Sequence, residues 1–203
     1  MDRTDWDRRY AEKELIWSAE PNRFLVEELS GLAPGRAIDL AAGEGRNAIW
    51  LAQSGWRVTA VDYSNVGLEK GRCIAEKHGV KVEWVEADLL EYEIGDAAYD
   101  LVLLFYLQLP WAWMGGVLRR AADAVAPGGT LLLVGHDLAN LEGGHGGPKD
   151  AAVLYTHEQV AGELSALNIV QAARRERPVD LEDGSVATAI DCLVRATAPA
   201  DLS

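Results

Sequence analysis

The feature that most restricts what this chain can become is a short apolar run that breaks into a glycine loop and resumes as a helical face. Ala37-Ile38-Asp39-Leu40 leads into Ala41-Ala42-Gly43-Glu44-Gly45, and Ala48, Ile49, Leu51 and Ala52 then recur at helical spacing up to Gly55. Residues 57–62 read as the next strand, so 37–62 is one βαβ unit. Strands that are apolar along their length, rather than at every second residue, belong to a parallel sheet covered on both faces.

The rest of the chain repeats this alternation. Two helices separated by Pro21 are expected within 6–32, and Pro34-Gly35 punctuates the chain before the first strand. Then come a helix over 66–78, strands over 81–85 and 99–106, a helix over 113–125, a turn at Pro127-Gly128-Gly129 and a strand over 130–134. The glycine-rich stretch 141–148 reads as a mobile loop, 157–167 as a helix, and 169–177 and 187–195 as strands around the turn Glu182-Asp183-Gly184. The class is therefore α/β: a doubly wound, Rossmann-like, mostly parallel sheet with a C-terminal antiparallel hairpin and helices on both faces. One domain is expected over 1–196, with 1–33 a helical cap and 34–196 the core, followed by a loose tail at 197–203.

At 203 residues such a domain buries roughly 70% of the surface its unfolded chain exposes. The 32 acidic and 19 basic residues leave a net charge of −13, a field that repels phosphate backbones and anionic lipid. Nucleic acid and membrane are poor partners for it, and the pairs Arg119-Arg120 and Arg174-Arg175 are too short to reverse that. Cys73 and Cys192 sit in no zinc-type spacing, so no metal is expected. With no apolar signal segment and no apolar stretch of about 18 residues, the expectation is a cytoplasmic monomer or homodimer.

Ligands of a doubly wound sheet sit beyond the carboxyl ends of its strands, where Asp39 and the glycine loop, Asp62-Tyr63, Asp88 and Phe105-Tyr106 fall. Gly43 and Gly45 let the backbone turn sharply and approach a ligand, and the following helix directs free N–H groups at it. With Ala48 the spacing satisfies a dinucleotide fingerprint, Gly43-x-Gly45-x-x-Ala48, with Asp62 about twenty residues on. Against that reading, Asp39 and Glu44 flank the place of a doubly charged pyrophosphate even with Arg46 nearby. A phosphate-free cofactor that carries an ammonium and a sulfonium suits these acids better, and Asp88 suits an adenine amino group.

The segments 37–52, Val58-Thr59-Ala60-Val61-Asp62, Glu86-Ala87-Asp88-Leu89, Tyr99-Asp100-Leu101-Val102 and Pro127-Gly128-Gly129 resemble, in order, the motifs of class I S-adenosylmethionine-dependent methyltransferases. The resemblance spans about 37–134. It implies that Asp39 and the loop residues Ala41, Gly43, Gly45, Arg46 and Asn47 lie against the methionine part of S-adenosylmethionine. Asp62, beside Tyr63, would take the ribose hydroxyls, Asp88 the adenine amine, Leu89 the ring edge, and the Phe105 carbonyl the cofactor amino group. Ala41 stands where the family commonly has a third glycine. Gly43-Glu44-Gly45-Arg46-Asn47, with Trp6-Asp7-x-x-Tyr10 and Trp17, is also loosely similar to the tellurite-resistance and thiopurine methyltransferase branches.

In that family the acceptor pocket would draw on Trp6, Tyr10 and Trp17, then Tyr106, Gln108, Trp111 and Trp113, then Asp137 and His136, which follows the strand over 130–134 and is the best-placed histidine to remove a proton. His145 is a candidate to ride a lid. Methyl transfer to a small thiol, hydroxyl or soft anion is the expected activity. Two alternatives stand beside it. One is an NAD(P)-dependent oxidoreductase, although a Tyr-x-x-x-Lys pair is absent; the other is a non-catalytic cofactor-binding module with an aromatic patch at Trp111 and Trp113.

Overall fold

A computed structural model describes residues 2–12, 15, 20–181 and 183–200. Trp17 lies outside the described residues. Two helices, α1 (Arg3–Glu12) and α2 (Arg23–Glu28), precede β1 (Arg36–Leu40), α3 (Arg46–Gln53), β2 (Arg57–Asp62), α4 (Asn65–Lys77) and β3 (Val82–Glu86). There follow β4 (Tyr99–Phe105), α5 (Trp111–Asp123), β5 (Val125–His136), the short α6 (Asn140–Gly143), α7 (His157–Glu163), β6 (Asn168–Asp180) and β7 (Val186–Thr197).

The seven strands form one sheet in the order β3-β2-β1-β4-β5-β7-β6. The first five are parallel neighbours, and β7 inserts antiparallel between β5 and β6. This is the expected doubly wound sheet closed by an antiparallel hairpin. Past their first one or two residues its central strands are buried throughout, as the unbroken apolar runs required.

Alternate residues of those strands feed two cores on opposite faces of the sheet. Ile38, Leu40, Val102, Leu104, Leu131 and Leu133 pack with α5 and α7 on one face. Ala37, Leu101, Leu103 and Leu132 pack with Phe24 and Leu25 of α2 and Leu51 of α3 on the other. Each fully buried leucine removes apolar surface worth about 2 kcal/mol from water. The sheet is thereby a rigid base whose carboxyl edge is left to loops.

Several expected boundaries shift. β5 starts at Val125 rather than after the Pro127-Gly128-Gly129 turn, because Val125 already pairs with Tyr99 and the glycines lie in a register shift between Tyr99 and Leu101, Gly128 at φ 73°. Thr197 closes β7, the Ala198 N–H donates to Gly129 O at 3.0 Å and Gly128 N–H to Pro199 O at 3.2 Å, so 197–199 do not form the loose tail expected of them. α7 stops at Glu163, four residues early, in a turn where Leu164 N–H donates to Ala161 O. The glycine-rich stretch 141–148 is tied down rather than free: Asn140 Nδ2 donates to Gly146 O at 2.9 Å, and His145 N–H to Thr188 O at 2.8 Å.

Candidate functional site

Strand order reverses between β1 and β4, whose crossovers leave in opposite directions, and a cavity of about 1030 Å³ opens there beyond the strand ends. Ala41, Gly43, Arg46 and Asn47 line it from the loop after β1, and Asp62 and Tyr63 from the end of β2. Asp88 and Leu89 reach it after β3, Phe105 and Tyr106 from β4, His136 from β5, and Trp6 and Tyr10 from α1. Asp39, Gly45 and Trp111 do not line it. Trp111 packs instead on Tyr155, ring centroids 5.3 Å apart, at the edge of the α5 core, while the neighbouring Trp113 reaches the cavity and is 56% exposed. The helical register of α5 decides this, since residues two apart point to different sides.

The loop is held by Asp62. Gly43 N–H donates to its Oδ2 and Ser64 N–H to its Oδ1, both at 2.8 Å. Ala41, Gly43 and Gly45 all have positive φ, 66°, 57° and 74°. Ala41 thus occupies the left-handed region where a Cβ is strained. The glycines answer to packed aromatics as much as to a ligand. A Cβ on Gly43 would stand 2.5 Å from the Tyr10 hydroxyl, and one on Gly45 would run into the Trp84 indole. Gly45 therefore makes room for Trp84.

Asp39 is fully enclosed below this loop, at the foot of α3, and among the described residues its carboxylate has no well-aligned hydrogen-bond partner, the Ala48 amide standing nearest. Burial and the charge of Asp62 push its pKa up to about 7, against the pull of Arg46. Asp62 is likewise raised by burial, opposed by the Ser64 and Gly43 amides.

A second cluster occupies the other side of the cavity. His136 Nδ1 lies 3.2 Å from Asp191 Oδ1, with the ring turned off the line along which an N–H donates. Tyr106 donates its hydroxyl to Asp191 Oδ2 at 2.9 Å, and Arg177 Nε donates to the same oxygen at 2.8 Å. Burial alone would raise Asp191, but the approach of His136 Nδ1 and the hydrogen bond from Arg177 overcome it and hold the carboxyl below its usual range. The rings of Tyr106 and His136 stand 4.8 Å apart, Asn22 Nδ2 reaches the Tyr106 hydroxyl at 3.5 Å, and Tyr106 has a positive φ of 54°. Such strain collects at functional sites.

Comparison with known proteins bears on what this arrangement is for. Residues 37–129 match a family described as a methyltransferase domain. This part of the chain is similar to methyltransferase domains. A demethylmenaquinone methyltransferase of Thermus thermophilus is 33% identical to this chain over 123 residues, which cover 60% of this chain and 54% of that protein. The chain spans about half the length of the curated relatives it matches. Two solved structures share the fold. One, from work on conversion of a disulfide bond into a thioacetal group during echinomycin biosynthesis, superposes with TM-score 0.76 at 18% identity, covering 99% of this chain and 94% of that one. The other, TehB from Haemophilus influenzae, gives 0.72 at 15% identity, covering 87% and 62%.

α1 lies across the ends of β2 and β3. Arg3 pairs with Glu86, Ser64 Oγ donates to Asp7 Oδ1 at 2.5 Å, and Lys70 donates to the Tyr10 carbonyl. His145 is exposed and does not line the cavity; Gly147 instead packs on the His136 ring, where a Cβ would stand 3.0 Å away. Asp191, Arg177 and Asn22 escaped the sequence reading of this domain. The available signal was a single acid, Asp191, inside the apolar run 187–194. The partner of that acid is set by strand pairing, His136 opposite Asp191, which no local pattern reveals.

Proposed function

We propose that this domain binds S-adenosylmethionine and transfers its methyl group to a hydroxyl of a small-molecule acceptor, with His136 as general base. The observation that carries the cofactor half is Asp39, a buried carboxylate with no well-aligned partner among the described residues, just behind the loop that lines a cavity of cofactor size. A ligand ammonium seated on the loop above would be drawn by its charge without touching it. Arg46 suits the carboxylate of the same ligand, Asp62 retains acceptor capacity on each oxygen for ribose hydroxyls, and Asp88 and Leu89 stand where an adenine would end. A pyrophosphate fits poorly among Asp39, Glu44 and Asp62, which weighs against the nicotinamide reading.

Bound there, the cofactor supplies a methyl group already activated on a sulfonium, so the chain has only to orient the acceptor and handle its proton. His136 Nε2 accepts that proton. A turn of the ring brings Nδ1–H onto Asp191, whose charge stabilises the imidazolium. Tyr106 and Arg177 keep Asp191 in place, and Trp6 and Tyr10 cover the cavity against water.

The −13 charge favours a small molecule over nucleic acid as acceptor. Among the described residues no helix is long and apolar enough to cross a membrane, and both Cys73 and Cys192 are free thiols, as a reducing cytoplasm allows. We take the working form to be a cytoplasmic monomer or homodimer with residues 1–33 as the cap of a single domain. Isothermal titration with S-adenosylmethionine and its demethylated product tests the cofactor: no heat with either at about millimolar concentration overturns the reading. Binding without transfer of labelled methyl to any thiol, hydroxyl or amine of a broad panel favours the non-catalytic module.

A further inference from the structure

Arg177 lines the cavity from β6, on the strand face that meets Asp191. Its Nε is fixed by Asp191 Oδ2, and its guanidinium lies over the Tyr106 ring at 5.9 Å. Beyond Asp191 its side-chain partner among the described residues is the Tyr106 hydroxyl, which leaves donors of the guanidinium to spare although three-quarters of the side chain is covered. A planar fork held by its Nε edge leaves the Nη pair aimed outward, the geometry that grips a carboxylate with two parallel hydrogen bonds. His136 hangs from the other oxygen of the same Asp191 carboxylate. A ligand small enough to sit over Asp191 touches both.

The surrounding charges point the same way. Glu44 is paired to Lys70, and Asp62 is occupied by loop amides. Arg46 lines the cavity with Arg177; burial pushes its pKa down, and the neighbouring Arg177 charge adds to that. With Arg46 facing the cofactor's own carboxylate, Arg177 is a cavity cation left for an anionic acceptor. The overall acidity of the chain does not cancel this, because exposed charges beyond about 8 Å are screened at physiological salt.

We propose that the acceptor is a hydroxy acid, its carboxylate docked on the Nη pair of Arg177 and its hydroxyl at His136. This rests on the methyltransferase reading above. The hydroxyl oxygen forms the new C–O bond as the methyl–sulfur bond breaks, the electron pair stays on sulfur, and the hydroxyl proton passes to His136 Nε2. Arg177 then selects the substrate by its charge, and His136 acts on it.

The test is equilibrium binding to the chain preloaded with S-adenosylhomocysteine, whose own titration is recorded first. Aromatic and aliphatic hydroxy acids, each paired with its carboxamide, are titrated by calorimetry. At least one acid is expected to bind roughly tenfold or more tightly than its amide, a preference reduced in Arg177→Lys and lost in Arg177→Met. Because Arg177→Met leaves Asp191 buried with fewer partners, the double variant Arg177→Met/Asp191→Asn is titrated as well and is expected to lose the preference too. Acids and amides binding alike, no acid binding at all, or a preference that survives both methionine variants overturns the proposal. Failure of S-adenosylhomocysteine itself to bind is a separate result and overturns the cofactor reading on which the proposal stands.

Discussion

His136 and Asp191 face each other across the pairing of β5 with β7, Nδ1 3.2 Å from Oδ1, with Asp191 fully buried and shared by Tyr106 and Arg177. A histidine backed by a buried carboxylate and open to a cavity is the arrangement of a general base. Replacing His136 by Gln is expected to lower kcat for a hydroxyl acceptor by about 10²–10⁴. Asp191→Asn is expected to lower it less, since Tyr106 and Arg177 still bracket the site. Cofactor affinity should hardly change in His136→Gln, and calorimetry beside single-turnover kinetics checks both statements.

Asp39 makes the domain sensitive to pH. Its pKa is near 7 in the folded chain and near 3.8 when unfolded, so between those values the folded state holds a proton that the unfolded state has released. Stability from this group is fully present below pH 4, falls as pH rises toward 7, and is flat above. Asp39→Asn is expected to flatten that slope and to stabilise the ligand-free protein above pH 7 by about 2–4 kcal/mol, measured by urea unfolding at a series of pH values. A cofactor ammonium prefers the ionised carboxylate, so affinity should climb as pH rises through 7, with proton release on binding below it. Calorimetry in buffers of different ionisation enthalpy detects the released proton.

Asp62 has two tasks, because the oxygens that would meet a ribose already hold the Gly43 and Ser64 amides. Asp62→Ala is therefore expected to cost about 1–3 kcal/mol of stability as well as about 1–3 kcal/mol of cofactor binding. Chemical denaturation and titration measure the two separately. Unchanged stability with weakened binding would show that the loop keeps its shape without the anchor.

The loop also predicts opposite signs for two small substitutions. Ala41 carries a Cβ at φ 66°, and Ala41→Gly is expected to raise stability by about 1 kcal/mol, net of the looser unfolded chain. Gly45→Ala adds a Cβ at φ 74° against the Trp84 indole and is expected to cost about 2 kcal/mol or more. Pairing Gly45→Ala with Trp84→Ala should recover the part of that cost due to the collision and leave the backbone part. Thermal unfolding of the set, arranged as a double-mutant cycle, separates the two.

The alternation of apolar runs with helical faces, read along the chain, determined the α/β class, the parallel core and the C-terminal hairpin, because burying a strand on both faces leaves its signature at every residue. It also determined that Asp39, Asp62, Asp88 and Phe105 end strands or follow them. Boundaries drifted where a bulge, as at Gly128, or a bond between distant segments, as from Ala198 to Gly129, let the backbone continue past a turn signal. Tertiary structure alone decided that Gly45 supports Trp84, that Trp113 and not Trp111 reaches the cavity, and that His136 shares Asp191 with Arg177 and Tyr106. Periodicity reports which face of an element is buried. Which side chain from another element meets that face depends on strand order and register, and those are fixed by contacts between residues tens of positions apart.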